Sequence, residues 1–178
     1  MNQPATPTTL TVTRVLRGGE GLAATILRRC AVVELDWDVR QRSRFACHDT
    51  LGRAVAVFLP RGTVLRGGDV LVAQDGTLLR VQAAAQPLLR VTASPHAGPL
   101  ALLRAAYHLG NRHVALQLCT DYLLLEHDPV LADLLQRLGL IVDAIDAPFD
   151  PETGAYGGHS HSHDHDHGHG VSLPEQRP

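Results

Sequence analysis

From Val33 to Arg40 the chain reads Val-Glu-Leu-Asp-Trp-Asp-Val-Arg, with apolar and polar positions in strict alternation. That period of two predicts a half-buried strand with Trp37 turned into a core. Leu10 to Val15 alternates similarly and is closed by Gly18-Gly19, and Val55, Val57 and Leu59 alternate up to Pro60. After a turn-rich passage, Val70 and Val72 are joined to Leu79 and Val81 through Asp75-Gly76, a two-residue hairpin signal. Residues 1–85 therefore read as an N-terminal all-β domain with no helical pattern. Carried past Val39, the same period puts Arg40, Arg42 and Arg44 on one side of an extended segment. Such a basic stripe is either a solvated face or a docking surface for an acidic partner.

After Gln86 the pattern changes. Leu88 to Val91 predicts a strand, and Pro99 to Leu109 a helix with Pro in its first turn, Leu102, Leu103 and Ala106 on its apolar face, and Gly110 as a left-handed stop. Val114 to Leu118 and Tyr122 to Leu125 predict two short strands. Asp128 is a natural N-cap, Pro129 suits the first helical position, and Val130, Leu131, Leu134, Leu135 and Leu138 supply the apolar face of a second helix ended by Gly139. A last strand from Leu140 to Ile145 completes the order βαββαβ, the ferredoxin-like split βαβ unit, over residues 86–150. The fold class expected is α+β. Residues 151–178 hold too few apolar side chains to join a core and predict a disordered tail.

That tail changes the picture, because His159, His161, His163, His165, His167 and His169 are six of the chain's eleven histidines. Imidazole suits zinc, copper, iron and nickel, so histidines alternating with Ser, Asp and Gly form a run of ligands without a rigid frame. Residues two apart in an extended chain lie about 6.5 to 7 Å apart, so several imidazoles converge only where the backbone bends around an ion. Copper outranks nickel and zinc at most nitrogen sites, so the tail accommodates all three and selects none. Within the folded part, His113 follows a Gly-Asn break where a helix gives way to a strand. His127 directly precedes the second helix, whose positive N-terminal end favours the neutral, ligating imidazole. His108 reads as a solvent-facing helix residue, and His48 and His96 as loop residues.

Other chemistry is excluded by what is missing. Cys30, Cys47 and Cys119 form no C-x-x-C pair, and no H-E-x-x-H, Walker loop or G-x-S-x-G occurs, so the chain reads as a non-catalytic carrier. A net charge of -2 gives no electrostatic case for nucleic acid. Val-Ala-Leu-Gln-Leu and Tyr-Leu-Leu-Leu-Glu, taken as the central strands, also lack an aromatic stacking platform. With no apolar run long enough for a membrane span and no leader at the N-terminus, the expected location is the cytoplasm.

Tyr107-His-Leu-Gly-Asn-Arg-His113, followed by Val114 and Leu116-Gln117, resembles the signature of the UreE family of urease accessory proteins. Leu59-Pro-Arg-Gly-Thr-Val-Leu-Arg-Gly-Gly-Asp-Val-Leu71, Val130-Leu131, Phe149-Asp-Pro-Glu-Thr-Gly-Ala-Tyr156 and the His-rich end support the likeness from about Val32 onward. The resemblance implies a nickel metallochaperone for the urease metallocentre, working as a homodimer with a ferredoxin-like metal-binding domain. It implies that His113 binds nickel at the dimer interface with help from tail histidines, and that the ion passes to the GTP-hydrolysing partner UreG and the urease activation complex. Ala115 stands where a proline is common in the family. Pro129 stands where some members carry a further histidine, so an auxiliary site at His127 has lost a possible ligand. The rival from another class is a storage or detoxification protein in which the tail buffers nickel, copper or zinc.

Overall fold

The computed structural model of the chain, described over residues 9–153, contains two sheets that share no strand. The first comprises β1 (Leu10–Leu16), β2 (Ala31–Leu35), β3 (Arg44–His48), β4 (Ala54–Phe58), β5 (Val70–Ala73) and β6 (Leu78–Ala83), in the order β2-β6-β5-β1-β4-β3. β1 runs parallel to β4 and β2 to β6, while the other pairs are antiparallel. Just past β3, the Thr50 N–H donates to the Val32 carbonyl at 2.8 Å, and the Val32 N–H to Thr50 Oγ1 at 3.1 Å. These bonds bring the chain leaving one edge strand against the other edge, satisfying part of an edge that would otherwise be open. Val12, Val33, Val55, Val57, Leu71, Leu79 and Val81 fill the core. The Asp75-Gly76 hairpin forms as expected, with Gly76 at φ 86 and its N–H bonded to the Ala73 carbonyl.

The alternation through Val33 to Arg40 misleads after Leu35. There the Asp36 carboxylate accepts the Val39 N–H at 2.8 Å and caps a single helical turn, α2 (Trp37–Arg40). A capping residue competes locally with strand geometry, and here the cap wins. A second short turn, α1 (Ala24–Leu27), and a 3-10 turn at Arg17–Gly19 make the first domain β-rich and not all-β. Trp37 is buried as expected, but the basic stripe does not exist. Arg42 and Arg44 are exposed, whereas Arg40 points inward and is fully buried. Strand β3 also places His48 on a strand and not in a loop.

One residue beyond β6 the second sheet begins: β7 (Ala85–Ala93), α3 (Ala101–Gly110), β8 (Gln117–Leu118), β9 (Tyr122–Glu126), α4 (Pro129–Arg137) and β10 (Leu140–Pro148). Its order is β10-β7-β9-β8 with every pair antiparallel. The central strands are β7 and β9, with β8 at the edge and shorter than Val114 to Leu118. Tyr122 is the one aromatic residue on the two central strands, so the absence of a stacking platform holds on the corrected pair. Asp128 caps α4 by accepting the N–H groups of Val130 and Leu131, with Pro129 at the first helical position.

Both helices lie on one face of this sheet, where Ala105, Leu109 and Leu135 pack on Leu89, Val91, Leu123 and Leu125. Each buried leucine contributes roughly 2 kcal/mol by leaving water. Leu103, Val130 and Leu138 do not join them and are exposed. The opposite face of β7 and β9 presents Leu88 and Leu124, which cluster with Trp37 of the first domain and with Phe149 just past β10. The two domains therefore meet through a small apolar core, sealed by Arg40. Its guanidinium donates to the carbonyls of Leu35 and Phe149 and to Asp150 Oδ1 at 3.0 Å. Arg66 also reaches Asp150, and the Arg40 and Arg66 guanidiniums lie 5.2 and 5.3 Å from the Trp37 ring centre. Burial pulls the Arg40 guanidinium below its ordinary pKa, and Asp150 works against that pull.

Candidate metal-binding turn and its clefts

The end of α3 decides where His113 stands. The Val114 N–H reaches back to the Leu109 carbonyl at 3.2 Å, and the His113 N–H bonds the Gly110 carbonyl at 2.9 Å. These two bonds form a Schellman closure, in which the residue donating the inner bond takes the left-handed conformation. That residue is His113, at φ 56, and Gly110 remains helical. Among the described residues no other non-glycine has positive φ. A left-handed L-residue costs roughly 1–2 kcal/mol, so a histidine is held where glycine would be cheaper. Its ring is exposed and its backbone is fixed.

Two clefts meet at this turn. One, of about 460 Å³, is lined by His113, Ala106, Gly110, Leu116, Leu118 and Glu152 among others. The other, of about 370 Å³, lies between the domains and brings His113 together with His127, Glu126, Asp128, Trp37 and Gln41. His113 and His127 are thus united on one cleft, as two of the histidines singled out from the sequence. Burial, reinforced by Asp38, pushes the Glu126 carboxyl up, while the Gln86 amide works the other way. Asp128 is occupied as the cap of α4. Among the described residues no three His, Cys, Asp or Glu side chains converge closely enough to hold an ion. His108 is exposed on α3 and lines a separate cleft with His96 and Arg104. His159, His161, His163, His165, His167 and His169 lie outside the described residues. All three cysteines are free thiols.

Two family models together match most of the chain. The model of the UreE urease accessory protein N-terminal domain matches residues 12–84, and that of the C-terminal domain matches residues 86–172. The chain belongs to the UreE family of urease accessory proteins. It is similar to the urease accessory protein UreE of Albidiferax ferrireducens, at 56% identity over 154 residues, 85% of this chain and 88% of that protein. The UreE of Verminephrobacter eiseniae is 56% identical over 156 residues, 84% of this chain and 93% of its own length. That of Methylibium petroleiphilum is 60% identical over 149 residues, 83% and 69% respectively. As a UreE family member, the protein is an accessory factor in urease maturation and not an enzyme. No helix among its described residues is long and apolar enough to cross a membrane.

Sequence reasoning located His113 and His127 but missed Glu152, Glu126 and Gln41 as their neighbours. Gln41 comes from the segment read as a strand, so its approach to His113 depends on the capped turn at Asp36. Glu152 did carry a signal, since it lies within the Phe149 to Tyr156 motif that marked the UreE resemblance.

Proposed function

We propose that this UreE family member is a cytoplasmic nickel metallochaperone that carries nickel for assembly of the urease metallocentre. In this reading two copies associate around a two-fold axis next to His113, so that one histidine per chain becomes a pair facing one ion. The second domain is a ferredoxin-like metal-binding domain, for which the all-antiparallel order β10-β7-β9-β8 speaks. The observation that carries the reading is the His113 turn: an exposed imidazole on rigid backbone, with too few donors beside it among the described residues. An apolar rim supports the dimer, because Leu103 and Tyr107 on α3 are 65% and 67% exposed and Leu118 is 52% exposed. Side chains of that size left open near a site mark an association surface.

Histidines from the run His159 to His169 complete the shell in turn. Ligand exchange then hands the ion to the partner UreG and the urease activation complex, and His127 serves as an auxiliary ligand across the shared cleft. Zinc and copper fit the same donors. The test is nickel titration of His113→Ala in a chain ending before Gly157, with molecular mass measured alongside. The expected result is a dimer that has lost its one tight site. A tight site retained at one ion per dimer overturns the assignment to His113. In a storage protein, by contrast, removing the tail alone abolishes nearly all binding.

A further inference from the structure

The cleft of about 460 Å³ beside His113 has a lining that is apolar or backbone with two exceptions, His113 and Glu152. A carboxylate in such a lining is not there for packing. Nor is it there by slack, because the backbone at Glu152 and just before it is tied down. The Glu152 N–H donates to the Leu116 carbonyl at 2.9 Å, and the Asp150 N–H to Gln117 Oε1 at 2.7 Å. Between them Pro151 is buried, and its carbonyl accepts from Arg66. The Asp150 carboxylate is engaged by Arg40 and Arg66, each at 3.0 Å, and by the Gly67 N–H at 3.2 Å. Glu152, two residues on, has no ion-pair partner among the described residues. One carboxylate of this segment locks the chain in place. The other, held by the same segment and without an ion-pair partner among the described residues, lines the cleft of His113.

We infer that the Glu152 carboxylate is a further donor to the metal ion held at His113, positioned there by Arg40 and Arg66 through Asp150. The inference rests on the reading of His113 as a nickel ligand and deepens it. With a two-fold axis beside the cleft, two imidazoles and two carboxylates face one ion, a tetragonal N,O set of the kind that nickel(II) and copper(II) favour. The carboxylates also offset the ion's double charge, which neutral imidazoles alone cannot do. Oxygen donors exchange without breaking the imidazole bonds, so the ion can be released stepwise.

The experiment uses the full chain, nickel chloride and a competing chelator that empties the weaker tail sites. Glu152→Gln is expected to weaken the tight site at least about 10-fold, since even groups that only support a ligand contribute about 10- to 100-fold, with the melting temperature and tail stoichiometry unchanged. Glu152→Asp should recover part of the loss and shift the nickel d–d absorption back toward the parent. Asp150→Asn should weaken the same site and add little to Glu152→Gln in the double variant, because both act through one carboxylate. A Glu152→Gln affinity within twofold of the parent, in a protein whose site is abolished by His113→Ala, overturns this proposal alone. A tight site that survives His113→Ala overturns the reading beneath it as well.

Discussion

The Arg40 junction and the His113 turn lie at two ends of one short segment, residues 149–152, and they are built in opposite ways. At the junction a fully buried guanidinium meets the carbonyls of Leu35, Leu65 and Phe149 and the carboxylate of Asp150, with Trp37 against its face. Among the described residues no buried side-chain polar atom of this junction lacks a partner. At the turn an imidazole stands exposed in a strained backbone conformation, beside two open clefts and, among the described residues, short of a complete set of donors. A group whose partners are all supplied by the chain serves structure. A group fixed in place and left incomplete by its surroundings is available to a ligand.

The comparison breaks most visibly at its closed end. Arg40→Met keeps much of the side-chain volume but takes a donor from the carbonyls of Leu65 and Phe149 and one guanidinium from Asp150, and breaking such a buried charge pair costs about 3–5 kcal/mol. Asp150 is partly exposed and keeps Arg66, which argues for the lower figure, about 3 kcal/mol. Urea denaturation measures it. A loss below about 1 kcal/mol would mean that the junction is held by Trp37 and Phe149 alone.

How legible these two regions were in the sequence follows from what each depends on. Both amphipathic helices, the Asp128 cap and the Asp75-Gly76 hairpin rest on local chemistry and stood where the pattern put them. Arg40 was misread because alternation cannot tell a strand from a strand followed by one capped turn. The deciding bond, Asp36 to the Val39 N–H, competes at the same few residues. Its partners Phe149 and Asp150 are more than a hundred residues away, beyond any local signal. Leu103, Val130 and Leu138 were misplaced for a related reason, since helical period fixes a face but not its width. His113 was found from its motif, but its left-handed conformation was assigned to Gly110, the residue that ordinarily takes it. The clefts around it needed the fold.

A smaller effect tests whether the His127 end of the interdomain cleft belongs to the open site. Asp128→Ala removes the side chain that accepts the N–H groups of Val130 and Leu131, and a lost N-cap costs about 1 kcal/mol. Thermal melting should register that loss. The first turn of α4 then frays next to His127, so any contribution of His127 to nickel binding falls with it. Tight-site affinity unchanged in Asp128→Ala would confine the metal to the His113 side of the cleft. A severalfold fall would extend the site across it.

The smallest effect has the opposite sign and separates stability from binding at one residue. Histidine at φ 56 carries a left-handed penalty of roughly 1–2 kcal/mol, which alanine would share and glycine would not. Glycine gives back part of that relief through its greater freedom in the unfolded chain, about 0.5–1 kcal/mol. His113→Gly should therefore be more stable than the parent by about 0.5 kcal/mol, and more stable than His113→Ala by a similar margin. The exposed ring gives up little packing in either case. Both variants should lose the tight nickel site equally. Denaturant midpoints of the three proteins, measured without metal, decide the first point, and nickel titration decides the second. If His113→Gly proves less stable than the parent, the imidazole contributes to the fold, and its left-handed placement is not strain kept for an ion. If glycine gains stability while binding is lost, the turn holds a costlier residue than the fold requires, and its chemistry is what the position retains.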